Sequence, residues 1–174
     1  TLGGANTCTG TTTVSDGTLR LDEDDVLSDS TDVILSGTGR LTLDETTDTI
    51  GSLASDDSGT IVDIGNSTLT IGSDESTTFA GRIIGSNGNL VKDGSGTLIL
   101  SGANSYTGDT NIKDGTLRLG ADEVLSDFTD VFVRSAGTFD VNGFTQTIDA
   151  LSSSGSVLLG NGSLTVGDGN GTST

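Results

Sequence analysis

The chain has 174 residues, of which 31% are hydrophobic and 3% aromatic, and its formal net charge is −18. So few apolar residues are hard to fold around one globular core, and so acidic a surface repels nucleic-acid phosphates and anionic lipids. We therefore expect no nucleic-acid partner and no membrane insertion by this segment. Histidine is absent and Cys8 is the only cysteine, which excludes a disulfide framework and a Ser-His-Asp triad.

Short runs of alternating polar and apolar residues follow one another along the chain, and each run predicts a half-buried β-strand. Clusters of Gly, Asp and Ser separate the runs and indicate turns. The 27 glycines and the absence of proline suit many tight turns between hydrogen-bonded strands. No window keeps a helical period. In chain order the predicted strands occupy residues 11–14, 17–21, 32–35, 39–43, 49–53, 60–64, 67–71, 77–79 and 81–84, with others in 88–119.

The N-terminal segment recurs later in the chain, at an offset of about 98 residues. Residues 16–21, with the sequence DGTLRL, return letter for letter as residues 114–119. Such a repeat determines the architecture. We predict a single β-helical segment over 1–174, built from one full unit of about 96–98 residues and most of a second, approximately 1–98 and 99–174. The chain begins without Met and without a signal peptide, so we expect a processed or excised piece of a longer polypeptide.

Pairs of apolar residues recur within the unit at intervals of about 20 residues, as at Leu19/Leu21 and Leu41/Leu43. This spacing predicts a three-sided parallel β-helix, in which each turn stacks on the next about 4.8 Å along the axis. Such a solenoid needs only a narrow apolar stripe, because each turn contacts only its neighbours. The predicted fold class is therefore all-β, a three-sided β-solenoid of about eight coils.

Residues 88–119 read GNLVKDGSGTLILSGANSYTGDTNIKDGTLRL, which resembles the autotransporter-associated β-strand repeat, also called the passenger-associated transport repeat. A second, N-terminally truncated match covers 2–21, with Cys8 in place of the family's aromatic residue. The resemblance implies a right-handed parallel β-helix from an autotransporter passenger, extracellular or on a bacterial cell surface, in which the repeat is associated with folding and export. The matching residues are Gly88, Leu90, Lys92, Gly94, Gly96, Thr97, Leu98, Leu100, Gly102, Asn104, Tyr106, Gly108, Thr110, Gly115, Thr116, Leu117 and Leu119.

The densest groups of carboxylates lie at 22–25 and 122–123. Calcium needs six to eight oxygen ligands, but neither segment has the spacing of a calcium-binding loop. We interpret both as solvated acidic loops and keep calcium as the weaker alternative. The doublets Asp24-Asp25 and Asp56-Asp57 do not form acid–base pairs by themselves, because adjacent strand residues point to opposite faces.

The remaining conspicuous residues have structural interpretations. Asn6 and Asn104 occupy matched positions and are predicted to bond the backbone of turns. Tyr106 is predicted to pack its ring inward and to anchor its hydroxyl at the surface, and Cys8 to fill the matched position in the core. Ser95 is predicted to be a turn residue. An ice-binding face is a minor alternative, because its threonine ladder is interrupted. No catalytic, cofactor-binding or metal-binding residue and no cofactor is predicted.

Three functional hypotheses follow. The first is a non-catalytic structural or adhesive stalk of an autotransporter-type passenger, with a repeated face for self-association and a host or matrix surface as its target. The second is a self-assembling fibre or surface-layer subunit, because neither terminus shows a recognisable capping element and strand edges can pair with another chain. The third is a polysaccharide-acting enzyme, whose activity a carboxylate variant such as Asp25→Asn would abolish.

Overall fold

The computed structural model describes residues 1–43 and 45–167, and within these residues it contains strands and turns but no helix. Residues 168–174, the end of the predicted second unit, lie outside the described residues. The strands are β1 (Thr12–Val14), β2 (Thr18–Leu21), β3 (Val33–Leu35), β4 (Arg40–Leu43), β5 (Thr47–Ile50), β6 (Leu53–Ala54), β7 (Ile61–Asp63), β8 (Thr68–Ile71), β9 (Thr77–Phe79), β10 (Arg82–Ile84), β11 (Asn89–Lys92), β12 (Thr97–Leu100), β13 (Thr110–Leu119), β14 (Asp130–Asp140), β15 (Thr145–Ile148), β16 (Ala150–Ser153), β17 (Ser156–Leu158) and β18 (Ser163–Val166).

The strand pairs among the described residues are all parallel. Thr12 pairs with Val33 and Thr47 pairs with Thr68, so each partner lies one turn of about 21 residues further along the chain. Parallel strands that are joined by short loops and paired at this interval form a solenoid. The predicted fold class is confirmed, with about seven turns where about eight were expected.

Three stacked columns of strands form the sides of the solenoid. Side 1 contains β2, β4, β7 and β10, and continues through the hydrogen bonds of Ser105 N to Ile83 O and of Asn104 N to Val124 O towards β15 and β18. Side 2 contains β5, β8 and β11, the first parts of β13 and β14, and β16. Side 3 contains β1, β3, β6, β9 and β12, the last parts of β13 and β14, and β17. The two long strands therefore each cross one corner of the solenoid.

The sequence repeat is out of phase with the turns of the solenoid. Thr12 lies on side 3, whereas Thr110, at the matched position of the second unit, lies on side 2. Asp48 lies on side 2 and its counterpart Gln146 on side 1. At about 21 residues per turn, the offset corresponds to about four and two-thirds turns, or about 22 Å at the strand spacing of about 4.8 Å. The second unit is thus rotated by one third of a turn, which corrects the expectation of one repeated face.

The interior is a single apolar core that runs along the axis. In β8, Leu69 and Ile71 point inward and are buried, whereas Thr68 and Thr70 point outward. Neighbouring turns place Leu, Ile and Val at the same inward positions, and the cluster extends from Leu21 to Ile148. Because each inner turn is covered by the turns on both sides, this narrow column needs few aromatic residues.

Candidate functional site

Asn104 joins three successive turns of the solenoid and is only 6% exposed. Its Oδ1 accepts a hydrogen bond of 2.7 Å from Ile83 N in the preceding turn. Its Nδ2 donates 3.0 Å hydrogen bonds to Gly102 O in its own turn and to Val124 O in the following one. One amide therefore satisfies three backbone groups at a corner where the strand ladder is interrupted.

Asn6 makes the same contacts in the first turn, except for the one with a preceding turn. Its Nδ2 donates to Gly4 O at 2.8 Å and to Val26 O at 3.0 Å. The side chain is half-buried, whereas that of Asn104 is buried. The prediction that both asparagines bond the backbone of turns is confirmed.

Tyr106 is completely buried, and its hydroxyl lies 2.7 Å from Thr110 Oγ1. Thr110 Oγ1 lies 3.1 Å from Thr129 Oγ1, which donates to Gly108 O at 2.6 Å. Burial raises the pKa of the Tyr106 hydroxyl above its ordinary value. The inward ring was predicted correctly, but the prediction of a surface hydroxyl was wrong, because the buried Thr110 bonds the hydroxyl inside the solenoid.

Cys8, at the position matched to Tyr106, is an exposed free thiol. The prediction that it fills the core was wrong. Its backbone oxygen accepts a 2.8 Å hydrogen bond from Thr31 Oγ1, so the chain path is anchored while the side chain remains outside. The thiol belongs to the first described turn, which packs against other described turns on one side only.

Lys92 is a buried cation. It belongs to the repeat motif, but no role was predicted for it from the sequence. Its Nζ donates to Asp93 O at 2.8 Å and to Gly94 O at 2.7 Å, and closes the corner after β11. Burial lowers the pKa of Lys92, opposed by the charges of Asp114, Asp93 and Asp74. Its alternation with Leu90 on β11 was the signal that it points inward.

The acidic segments at 22–25 and 122–123 contain backbone caps as well as solvated side chains. Asp24 Oδ1 accepts a 2.6 Å hydrogen bond from Thr47 N, and the matched Asp122 Oδ1 accepts a 2.7 Å hydrogen bond from Thr145 N. In both units, therefore, an aspartate fixes the start of the strand one turn further on. Among the described residues, no group of three or more His, Cys, Asp or Glu residues is placed to hold a metal ion.

The other acidic doublet and the serine of the glycine loop are also bonded within the fold. Asp57 Oδ2 accepts a 2.7 Å hydrogen bond from Gly37 N, one turn away. Ser95 donates from both N and Oγ to Asp74 Oδ1, at 2.8 and 2.9 Å. These two hydrogen bonds lower the pKa of Asp74. The interpretation of Ser95 as a turn residue is confirmed.

The residues described above coincide with a known repeat. The sequence profile of the passenger-associated transport repeat matches residues 1–21 and 90–119, which contain Asn6, Asn104 and Tyr106. These two segments match the repeat that the sequence resemblance predicted. The matched segments form the corners and strands that Asn104 and Tyr106 hold together, so the repeat motif here consists largely of residues that determine the fold.

Three curated proteins are similar to parts or all of the chain. The adhesin BmaC autotransporter of Brucella suis biovar 1 is 36% identical over 191 residues, covering 100% of this chain and 5% of that protein. An extracellular serine protease of Serratia marcescens is 39% identical over 79 residues, covering 45% of this chain and 7% of the protease. The uncharacterized lipoprotein YdeK of Escherichia coli K12 is 36% identical over 89 residues, covering 49% and 7% respectively.

The chain thus spans only a small fraction of the length of the curated relatives that it matches. No solved structure matches it. Among the described residues there is also no helix with the length and apolarity needed to cross a membrane.

Gly108 of the transport repeat lies where two turns approach closely. A Cβ at this position would lie 2.5 Å from Gly88 O and 2.5 Å from Asn89 Oδ1. We expect Gly108→Ala to lower the free energy of unfolding by about 2 kcal/mol, because the turns must separate. Chemical denaturation of the purified chain measures this. Gly10→Ala is the matched control and should be neutral within about 0.5 kcal/mol, because nothing lies within 4 Å of its Cβ. Equal effects of the two changes would contradict the close-approach explanation.

Proposed function

We propose that the chain is a stalk segment of a secreted or cell-surface adhesive passenger and that it performs no catalysis itself. The continuous stack of about seven turns carries this proposal. Its three columns are hydrogen-bonded along the axis, so stretching or bending the segment breaks several strand ladders at once. The similarity of the whole chain to a protein named as an autotransporter adhesin supports the adhesive setting.

The surface chemistry also suits a spacer. A net charge of −18 makes parallel copies of the chain repel one another, which keeps individual stalks apart. Because the second unit is rotated by one third of a turn, matched outward residues such as Ile34 and Phe132 lie on different sides. The stalk therefore presents its repeated surface in several directions, and one flat partner cannot contact matched positions of both units at once.

The test is an in-frame deletion of residues 1–98 from the complete passenger displayed on cells. Residue 99 takes the place of residue 1 in the repeat, so the junction joins matched residues. The turns that follow are rotated by one third of a turn, and the displayed height should fall by about 22 Å. Electron microscopy measures the height, and an adhesion assay at equal surface density measures the effect on function. Replacing the deleted segment by an unrelated β-solenoid of equal length should restore both. Normal display without restored adhesion would show that these residues bind the target themselves.

A second candidate function is end-to-end assembly into a fibre. The last described turn exposes Leu158, Leu159 and Val166 to 51%, 40% and 48%, and β18 has a partner strand on one side only among the described residues. A further turn of the same kind, from a second copy, would cover these side chains. Sedimentation of the purified chain over a hundredfold concentration range tests this. Growth of the sedimenting species supports assembly, and a monomer throughout contradicts it.

A further inference from the structure

Asp48 is a completely buried carboxylate on the inward face of β5. Its Oδ2 accepts hydrogen bonds from Val26 N at 2.8 Å and from Leu27 N at 3.1 Å, both in the preceding turn. Its Oδ1 is buried and has no hydrogen-bond partner among the described residues. The stalk proposal makes no use of this group, and a buried polar oxygen without a partner is costly for the fold.

In the second unit a glutamine, Gln146, occupies the position of Asp48. Gln146 is also completely buried, and its Oε1 accepts a 2.9 Å hydrogen bond from Leu125 N, the counterpart of Leu27. Its Nε2 donates to Leu125 O at 3.0 Å and to Thr147 O at 2.6 Å. An amide can both accept and donate, whereas an ionised carboxylate only accepts. The first unit therefore lacks a donor that the second unit has.

We propose that Asp48 is a proton-operated clamp between neighbouring turns of the first unit, closed when its carboxyl is protonated and loosened when it is ionised. The proton supplies the donor that the amide of Gln146 supplies in the second unit. The ionised form is disfavoured from the preceding turn by the carboxylates of Asp25 and Asp29. In the following turn Asp48 is paired with Leu69, a neutral residue that offers no compensating positive charge.

The electrostatic surroundings of Asp48 agree with this arrangement. Burial raises the pKa of Asp48 from 3.8 to about 6, with a smaller contribution in the same direction from Asp25 and Asp29, against the hydrogen bonds from Leu27 and Val26. Since the folded pKa lies above the unfolded one, the contribution of this group to stability is greatest below pH 3.8. It is lost as the pH rises through about 6. The clamp is therefore closed in mild acid and loosened at neutral pH.

Amide hydrogen exchange of the purified chain tests the clamp. Between pH 8 and pH 5, we expect the protection factors of the Val26 and Leu27 amides to increase roughly tenfold, as the pKa shift requires. The lower limit stays above the isoelectric point of about 4.1, where the chain carries little net charge. The Leu125 amide, which is bonded to Gln146, is the internal control and should show no such change. Equal pH dependence at Leu27 and Leu125 would overturn the proposal.

Asp48→Asn is the matched variant, because it keeps the size and the acceptor and supplies a donor that does not titrate. We expect it to make the protection of Val26 and Leu27 independent of pH and at least as high at pH 8 as that of the unchanged chain at pH 5. Asp56→Asn, at an exposed carboxylate in the loop after β6, controls for the loss of one negative charge. If Asp48→Asn does not fold, carboxyl ¹³C titration of the unchanged chain decides: a midpoint near 6 supports the clamp, and one near 4 refutes it.

Discussion

Replacing Tyr106 by Ala is expected to lower the free energy of unfolding by about 4 kcal/mol, in the range for aromatic side chains removed from a packed core. The ring is completely buried at one corner of the solenoid, between the turns before and after it. Its loss also removes the hydroxyl that bonds Thr110. Chemical denaturation measures the change in the free energy of unfolding. Amide hydrogen exchange should increase more in β13 than in the other strands.

Two further variants separate the causes of this loss. Tyr106→Phe keeps the ring and removes the hydroxyl, so it should cost about 1 kcal/mol. Cys8→Ala, at the matched position, should be neutral within about 0.5 kcal/mol, because that side chain is exposed. A cost below about 1.5 kcal/mol for Tyr106→Ala would show that the corner collapses around the cavity and that Tyr106 does not determine the fold.

Much of the fold could be predicted because solenoid strands keep a simple alternation. Predicted residues 17–21 and 67–71 correspond to the observed Thr18–Leu21 and Thr68–Ile71, and the apolar pair in each points inward. The Asn104 corner was also predictable, since an asparagine stands at the matched positions of both units, Asn6 and Asn104. Its contact with three turns was not, because that depends on which corners become neighbours after folding.

The side of the solenoid that each residue of the second unit occupies could not be predicted from the spacing of apolar pairs alone. An assumed interval of about 20 residues differs little in one turn from the observed interval of about 21 residues, as in the pairing of Thr12 with Val33. Over a whole repeat unit, however, the accumulated difference decides which side a residue occupies. Loop lengths also vary: Ser55 bridges to Phe79, whereas Leu98 pairs with Leu117 across a turn that is several residues shorter. Only the strand register shows that the second unit is rotated.

The buried polar residues were the other failure of prediction. Asp48 lies two residues before Ile50 on β5, so the two side chains point inward together. In the second unit a polar residue, Gln146, stands at the matched position. That coincidence was the available signal, but a lone aspartate between threonines suggests an exposed strand. The preference of carboxylates for the surface is overridden here because the preceding turn leaves two backbone amides, those of Val26 and Leu27, without a strand partner.

Replacing Asn104 by Ala is expected to cost about 3 kcal/mol, because Ile83 N and Val124 O lose their side-chain partner in a buried corner. The measurement is the midpoint of chemical denaturation, with exchange of the Ile83 amide as the local readout. Asn6→Ala is the matched control. Its side chain is half-buried and bonds only two carbonyls, so we expect about 1 kcal/mol. The contrast decides the role of the motif asparagine: a larger cost at 104 means that it joins turns, whereas equal costs mean that it only shapes its own turn.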